Sequence, residues 1–448
     1  MTTASTAGLS DVPTVPRPKL RALLAGMMFL EYAVWGAWMP ILSATLFNRG
    51  VPGDEIGNIY GVLWLACIIA PFLGGQLADR RMPAQWFLAG SHLLAAAAAF
   101  ITAEQTTAKG VYWGLLAWSL LFTPSLGVTN AVALRHIDRT ELPEAQRERE
   151  FSLIRTAGTI GWIVAAFLLL GFIAATGADP TGKTGALTEM RLTGILGIAM
   201  AVFSLFLPNT PPASVPTTGD RADNDPLAFR RAFRLFQTVP GFTVFMVVSF
   251  VAAMEFQFFY VLSGPFLESG VFTQIPHNLV APTKSISQVA EILSLAVFLP
   301  LWLPRKGMKW CLLIGSLAWP VRYIIFAIGK PAWLVVASLA LHGFGYAFVL
   351  VVQQLYVDRV APRDIRASAQ SLLNFITLGL GNWLGSLLCG QVLKHYTQGT
   401  QTNWPMVFLQ PTLLTLLCAA AYAFTFRDKD VRAASVVEST EGSTPVTL

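Results

Sequence analysis

Charged side chains are scarce in this chain. Only 12% of its 448 residues are Asp, Glu, Lys or Arg, against 54% hydrophobic ones. A soluble domain carries roughly 25% charged residues, so a soluble globular fold is excluded. Cysteine is scarce too. Cys67, Cys311, Cys389 and Cys418 all fall in apolar runs without CxxC or zinc spacing. They read as small buried hydrophobes, and no metal or cofactor is expected. Walker A, HExxH and GxSxG sequences are absent, which leaves ATP hydrolysis and embedded hydrolase chemistry without support. The chain is therefore not expected to be an enzyme. The first twenty residues lack an apolar run and read as a polar tail before the first span rather than a signal peptide.

What the chain does have is long apolar runs, together with 13 Trp, 30 Phe and 36 Gly. Aromatic belts and small residues at helix contacts characterise helical membrane bundles. A β-barrel would instead alternate in segments of about ten residues. Since about 20 apolar residues cross a bilayer, the runs predict twelve transmembrane helices in an all-α polytopic protein. The spans lie near 22–46, 57–78, 85–103, 111–135, 152–175, 191–208, 239–266, 284–303, 309–328, 332–357, 366–393 and 405–426.

This map divides the chain into a disordered N-terminal tail (1–20), a six-helix half (21–208), a polar, Pro-rich central loop (209–236), a second six-helix half (237–427) and a disordered C-terminal tail (428–448). Loops on one side carry 22 Lys and Arg, and those on the other carry seven, with Lys284 counted among the seven. The positive-inside rule then places both termini and the central loop in the cytoplasm. The net charge of +6 reads as topology and attraction to phospholipid headgroups, not as nucleic-acid binding. The halves echo each other. "IDR" (137–139) and "VDR" (357–359) each close a span, and "PFLGGQLADRRMPAQW" parallels "VFLPLWLPRKGMKW". Internal repeats of this kind mark secondary transporters, whose sites lie between the repeats.

Arg155 and Arg322 are the two cations inside spans. A guanidinium at mid-membrane costs at least about 2.5–3.5 kcal/mol on insertion scales, so each needs partners. Arg155, Thr159 and Trp162 share one helical face at i, i+4 and i+7. Gln257 and Tyr260 share a face in "AAMEFQFFYVL", with Glu255 pointing away, and Gln288 and Glu291 do so in "SISQVAEIL". His342 and Tyr346 pair in "LHGFGYAF", and Glu31 lies beside "YAVWGAW". Each stripe alone fits polar glue between helices; together they predict a shared polar cavity. A carboxyl there would bind a proton near neutral pH.

"GGQLADRR" (74–81) resembles the loop 2–3 motif of the major facilitator superfamily, with Asp79 and Arg80 at its gating positions. More specifically, "FLEYAVWGAWMP", "FTPSLGVTNAVALR", "IRTAGTIGW", "SISQVAEIL" and "IRASAQSLLNFITLGLGN" resemble the bacterial nucleoside:proton symporters, over about residues 20–427. The resemblance implies two pseudo-symmetric halves and proton-coupled nucleoside uptake by alternating access. It further implies a monomer in the inner membrane. It assigns substrate binding to Arg155, Thr159, Trp162, Gln257, Tyr260, Gln288, Glu291, His342 and Tyr346, and proton coupling to Glu291. Ala347 stands where the family pattern has an Asp, and Glu31, where relatives carry Gln, is the candidate to compensate. Other readings are transport of a sugar or modified nucleoside, or a non-transporting membrane sensor.

Overall fold

The computed structural model describes residues 17–80, 82–138, 140, 142–212, 232–269, 274–362 and 365–426, leaving aside the side chains of 70–80, 144, 145 and 367. Among these residues the regular structure is helical apart from a two-residue antiparallel pairing, Thr397–Gln398 with Gln401–Thr402, turned by Gly399 at φ +58°. The first half of the sequence forms α1 (Arg17–Gly36), α2 (Leu42–Asn48), α3 (Gly53–Arg80), α4 (Ala84–Ala103), α5 (Ala108–Asp138), α6 (Glu144–Thr176) and α7 (Thr188–Ser204). After a short α8 (Leu235–Thr238) come α9 (Phe242–Glu268), α10 (His277–Leu293), α11 (Leu299–Ile328), α12 (Ala332–Ser338), α13 (Leu341–Gly345), α14 (Val352–Val360), α15 (Arg366–Asn374), α16 (Asn382–His395) and α17 (Trp404–Thr425). Eight helical stretches among the described residues are long and apolar enough to cross a bilayer.

The departures from the expected spans have local causes. The first run breaks between α1 and α2 at Pro40, which has no N–H to continue the helix. Tyr60 repairs the break: its hydroxyl donates to the Met39 carbonyl at 2.8 Å and accepts from Ser43 N–H at 2.9 Å. The eighth span starts at His277 rather than 284, so Lys284 is a buried helix residue and not a loop cation. Within α11 the chain turns at Gly307, whose φ of +82° only glycine adopts freely. Three wider, i→i+5 turns interrupt the later helices, at Ser294–Phe298, Tyr346–Val351 and Phe375–Gly381. Such turns recur at functional sites.

The N-terminal helix begins at Arg17, inside the stretch expected to be a tail, and the end of the expected central loop is helical in α8. Most of that loop, residues 1–16, the C-terminal tail and the side chains of Asp79 and Arg80 lie outside the described residues.

Helix α1 packs on α6, α4 on α5 and α7, α11 on α17, and α9 on α16. The most extensive contacts between the early and late helices are α3 with α16 and α6 with α10, with α2 also meeting α9. Gly57 and Gly390 make the first possible. A Cβ on Gly390 would lie 2.8 Å from the Gly57 Cα, so the two backbones touch.

Candidate functional site

Between these crossing pairs lies a cavity of about 510 Å³, within the size range of small-molecule sites. Helix α6 supplies Phe151, Arg155, Thr159 and Trp162 along one stripe, and α10 supplies Gln288 and Glu291 opposite. Tyr260 of α9 and Tyr346, at the start of the second wide turn, complete the aromatic wall. A cation and a carboxyl on neighbouring helices thus share one cavity.

The Arg155 guanidinium lies 4.0 Å from the centroid of the Tyr32 ring, a cation–π contact that partly replaces its lost hydration. Trp162 meets Trp35 edge-on at 5.2 Å and Tyr260 at 6.4 Å. Its helix comes this close because residue 36 is glycine; a Cβ there would sit 2.8 Å from the Trp162 Cα.

The nine sequence-predicted binding residues do not all reach the cavity. Arg155, Thr159, Trp162, Tyr260, Gln288, Glu291 and Tyr346 line it. Gln257 is fully buried behind the wall. Its Oε1 accepts from Trp64 Nε1 at 3.0 Å and from Ser386 Oγ at 3.2 Å. His342 is also fully buried, stacked 4.3 Å from Phe259 and covered by Phe256 and Tyr260. Glu31 faces away from the cavity, bonded to His92 Nε2 at 2.9 Å and to Ser125 Oγ at 2.5 Å. Ala347 packs with Phe348 and Val352 in an apolar cluster.

Arg322 and Glu255 find each other. Both are fully buried, 3.7 Å apart, and Arg322 donates to Tyr323 Oη at 2.9 Å while lying 4.7 Å from the Phe259 ring. Lys284 donates to the Tyr260 carbonyl at 3.3 Å. This charged group sits directly behind Tyr260 and is separate from the cavity.

Sequence reasoning missed the aromatic residues Tyr32, Trp35 and Trp64, and the amides Asn130, Gln353, Gln354, Asn374 and Asn382, all of which line the cavity. The amides carried a signal, since Asn374 and Asn382 lie in apolar runs where an amide needs a reason. The tryptophans carried none, because an apolar helix buries them anyway.

The two ends of the cavity differ. Away from Phe151, ties cross between early and late helices: Lys394 to Asp54 at 2.7 Å, Asn48 to Glu268 at 2.6 Å, and His277 to Thr45 at 3.3 Å, with His277 also held 2.7 Å from Glu268 within the late helices. They close that end. A loop there is folded around Asp179, which accepts from Thr181 and Thr184 through both hydroxyls and backbone N–H groups at 2.7–2.9 Å. Those bonds hold its carboxyl below the usual carboxylate range, the Thr181 hydroxyl contributing most. Arg49 and Asn48 donate to carbonyls of this loop. Toward the other end the cavity continues past Asn130 and Gln354.

The family described as Nucleoside H+ symporter matches residues 19–431. YegT of Escherichia coli (strain K12) is 31% identical across 92% of this chain and 95% of its own length. Nucleoside permease NupG of the same organism is 28% identical across 92% and 97%. Xanthosine permease, also from that organism, is 26% identical across 90% and 94%. The crystal structure of nucleoside transporter NupG superposes with a TM-score of 0.77 at 26% identity, over 91% of this chain and 100% of that one, and a variant of it with 0.81. These relatives are membrane transporters, not enzymes.

Proposed function

Because the chain belongs to the nucleoside H+ symporter family, a family of multi-pass membrane transporters, we propose that it carries nucleosides inward with protons across a bacterial inner membrane. In this reading twelve spans form two six-helix halves, with both termini in the cytoplasm. The halves rock about the cavity between them. The end tied by Lys394–Asp54 and Asn48–Glu268 is periplasmic, so the conformation described is open toward the cytoplasm. Asp79 and Arg80 would gate the other end.

The observation that carries the reading is the composition of the cavity wall: Arg155, Gln288 and Glu291 facing one another, flanked by Trp162, Tyr260 and Tyr346. A nucleoside has a flat base and a ribose rich in hydroxyls. Aromatic rings take the base by stacking, each such contact being worth about 0.5–1.5 kcal/mol beyond area burial. Arg155, Thr159, Gln288 and Glu291 offer donors and acceptors to ribose and base edges. Gln257 and His342 act from behind the wall, Gln257 by fixing Trp64 and His342 by backing Tyr260. Glu291 and Glu31 are the proton-carrying carboxyls. Sugar transport is the weaker reading, because a wall of this many rings has no base to stack.

The test is calorimetric titration of the purified protein with uridine, adenosine and glucose. The reading predicts saturable binding of a nucleoside, none of glucose, and loss of the nucleoside signal in Arg155→Met. Saturable glucose binding with no nucleoside signal would overturn it.

A further inference from the structure

A second space lies apart from the central cavity, between α3, α5 and α16 and beside the Asp54–Lys394 tie. It is a groove of about 430 Å³, and its two ends differ in chemistry. At one end stand Glu55 and Asn58 in the first turns of α3, with Lys109 and Tyr112 in the first turns of α5. Glu55, Asn58 and Lys109 are exposed. Among the described residues neither Glu55 nor Lys109 has an ion-pair partner. Their neighbours are already engaged, Asp54 with Lys394 and Glu104 with Arg191. At the other end the walls are apolar, formed by Val62 and Leu65 of α3 and by Trp383 and Leu387 of α16. From Glu55 to Leu65 the groove runs about 15 Å along α3.

The polar end sits at the depth of a membrane surface. Helices α5 and α16 lie in stretches apolar enough to span a bilayer, and Trp113, next to Tyr112, is 57% exposed. Trp and Tyr collect where headgroups meet hydrocarbon. A groove that is charged at that level and apolar below it has the grading of a phospholipid. An ammonium finds acceptors in the Glu55 carboxylate and, three residues on, the Asn58 amide oxygen. A phosphate finds donors in Lys109 and, three residues on, the Tyr112 hydroxyl. Residues so spaced share a helix face. Lys109 also lies in the first turn of its helix, where the helix dipole adds to the attraction for an anion.

We propose that this groove binds one phospholipid with a primary-amine headgroup. Its phosphate lies on Lys109 and Tyr112, its ammonium on Glu55 and Asn58, and an acyl chain along Val62, Leu65 and Leu387. A quaternary ammonium has no N–H to donate to the carboxylate, so a choline headgroup fits less well. The lipid also needs all three helices. A Cβ on Gly61 would sit 3.2 Å from Trp383 Cδ1, so the indole lies against α3 and α16 supplies the third wall. Helices α3 and α5 belong to the first half and α16 to the second. The complete groove therefore exists only while this end is closed, and a ligand that prefers one state shifts the population toward it. The amine lipid holds this end shut. That role rests on the alternating-access reading, whereas the site does not.

Two measurements decide it. Native mass spectrometry of the purified chain follows retention of dioleoyl phosphatidylethanolamine, phosphatidylcholine and phosphatidylglycerol at equal concentration. Wild type should retain the ethanolamine lipid about two- to fivefold better than either of the others, the scale of an exposed charge pair. Glu55→Gln should abolish that preference, and Lys109→Gln should lower retention of all three lipids. Glu104→Gln, at the same end but outside the groove, should leave the preference intact. Equal retention of the three lipids by wild type, a preference kept by Glu55→Gln, undiminished retention by Lys109→Gln, or an equal loss in Glu104→Gln overturns the site. In nanodiscs, Asn48→Cys should react more slowly with a membrane-impermeant thiol reagent when phosphatidylethanolamine is present than in phosphatidylcholine alone. Equal rates overturn the role in closure. A wild type that moves no nucleoside would withdraw the symport reading, and lipid retention would still decide the site.

Discussion

Trp64 donates its indole N–H to Gln257 Oε1 at 3.0 Å, joining α3 to α9 just behind the cavity wall. The bond orients two side chains at once, since Trp64 lines the cavity and Gln257 does not. The same Gln257 oxygen accepts from Ser386 of α16, so three helices meet on one acceptor.

Replacing Trp64 with Phe keeps a ring in the wall and removes the donor. A neutral buried hydrogen bond contributes about 1 kcal/mol net, roughly fivefold in affinity. Trp64→Phe should therefore weaken nucleoside binding by about that factor, and calorimetric titration would show it.

The buried Glu255–Arg322 pair makes a larger and different prediction. Removing one partner of such a pair strands a charge and typically costs 3–5 kcal/mol, whereas replacing both with apolar groups is often neutral. Glu255→Gln should lower the thermal unfolding midpoint in detergent sharply. The double replacement Glu255→Leu with Arg322→Met should recover most of that loss. Equal losses in the single and double variants would show that the pair is not a unit.

Much of this was legible from helical spacing. Arg155, Thr159 and Trp162, like Gln288 and Glu291, share a face in one continuous helix, and i, i+3, i+4 arithmetic places them correctly. The arithmetic gave less where a residue's surroundings come from other helices. His342 has the right spacing from Tyr346, yet Phe256, Phe259 and Tyr260 cover it. Lys284 looked like a loop cation because hydropathy falls there, and only the helix start at His277 shows it to be buried. Pro40 broke the first span at a place that apolar length alone could not reveal.

At the closed end, backbone contact matters more than charge. The Lys394 and Asp54 side chains are 56% and 21% exposed, and an ion pair this wet is worth roughly 0–1 kcal/mol. Lys394→Ala should change uridine uptake by less than about fivefold. Gly57→Leu, by contrast, wedges the α3–α16 contact apart and should hold that end open. Labelling of a cysteine introduced at Asn48 by a membrane-impermeant reagent reports the difference: fast in the glycine variant, slow in Lys394→Ala.

The loop around Asp179 should resist acid. Its folded-state pKa lies below the unfolded value, so the stabilisation is complete above the ordinary carboxylate range and is lost only as pH falls through the lowered value. Hydrogen exchange at the Thr181 and Thr184 amides should stay slow, after correction for intrinsic rates, from neutral pH down to about 4, and should be fast throughout in Asp179→Ala.

The central claim is that a nucleoside moves together with a proton through a cavity in which Glu291 faces Arg155. It is tested most directly with purified protein in liposomes, by following tritiated uridine with and without an inward proton gradient, for wild type and Glu291→Gln. The account predicts accumulation above the outside concentration only with the gradient, and its loss in the variant. Equal uptake with and without the gradient, or undiminished driven accumulation by Glu291→Gln, would contradict it.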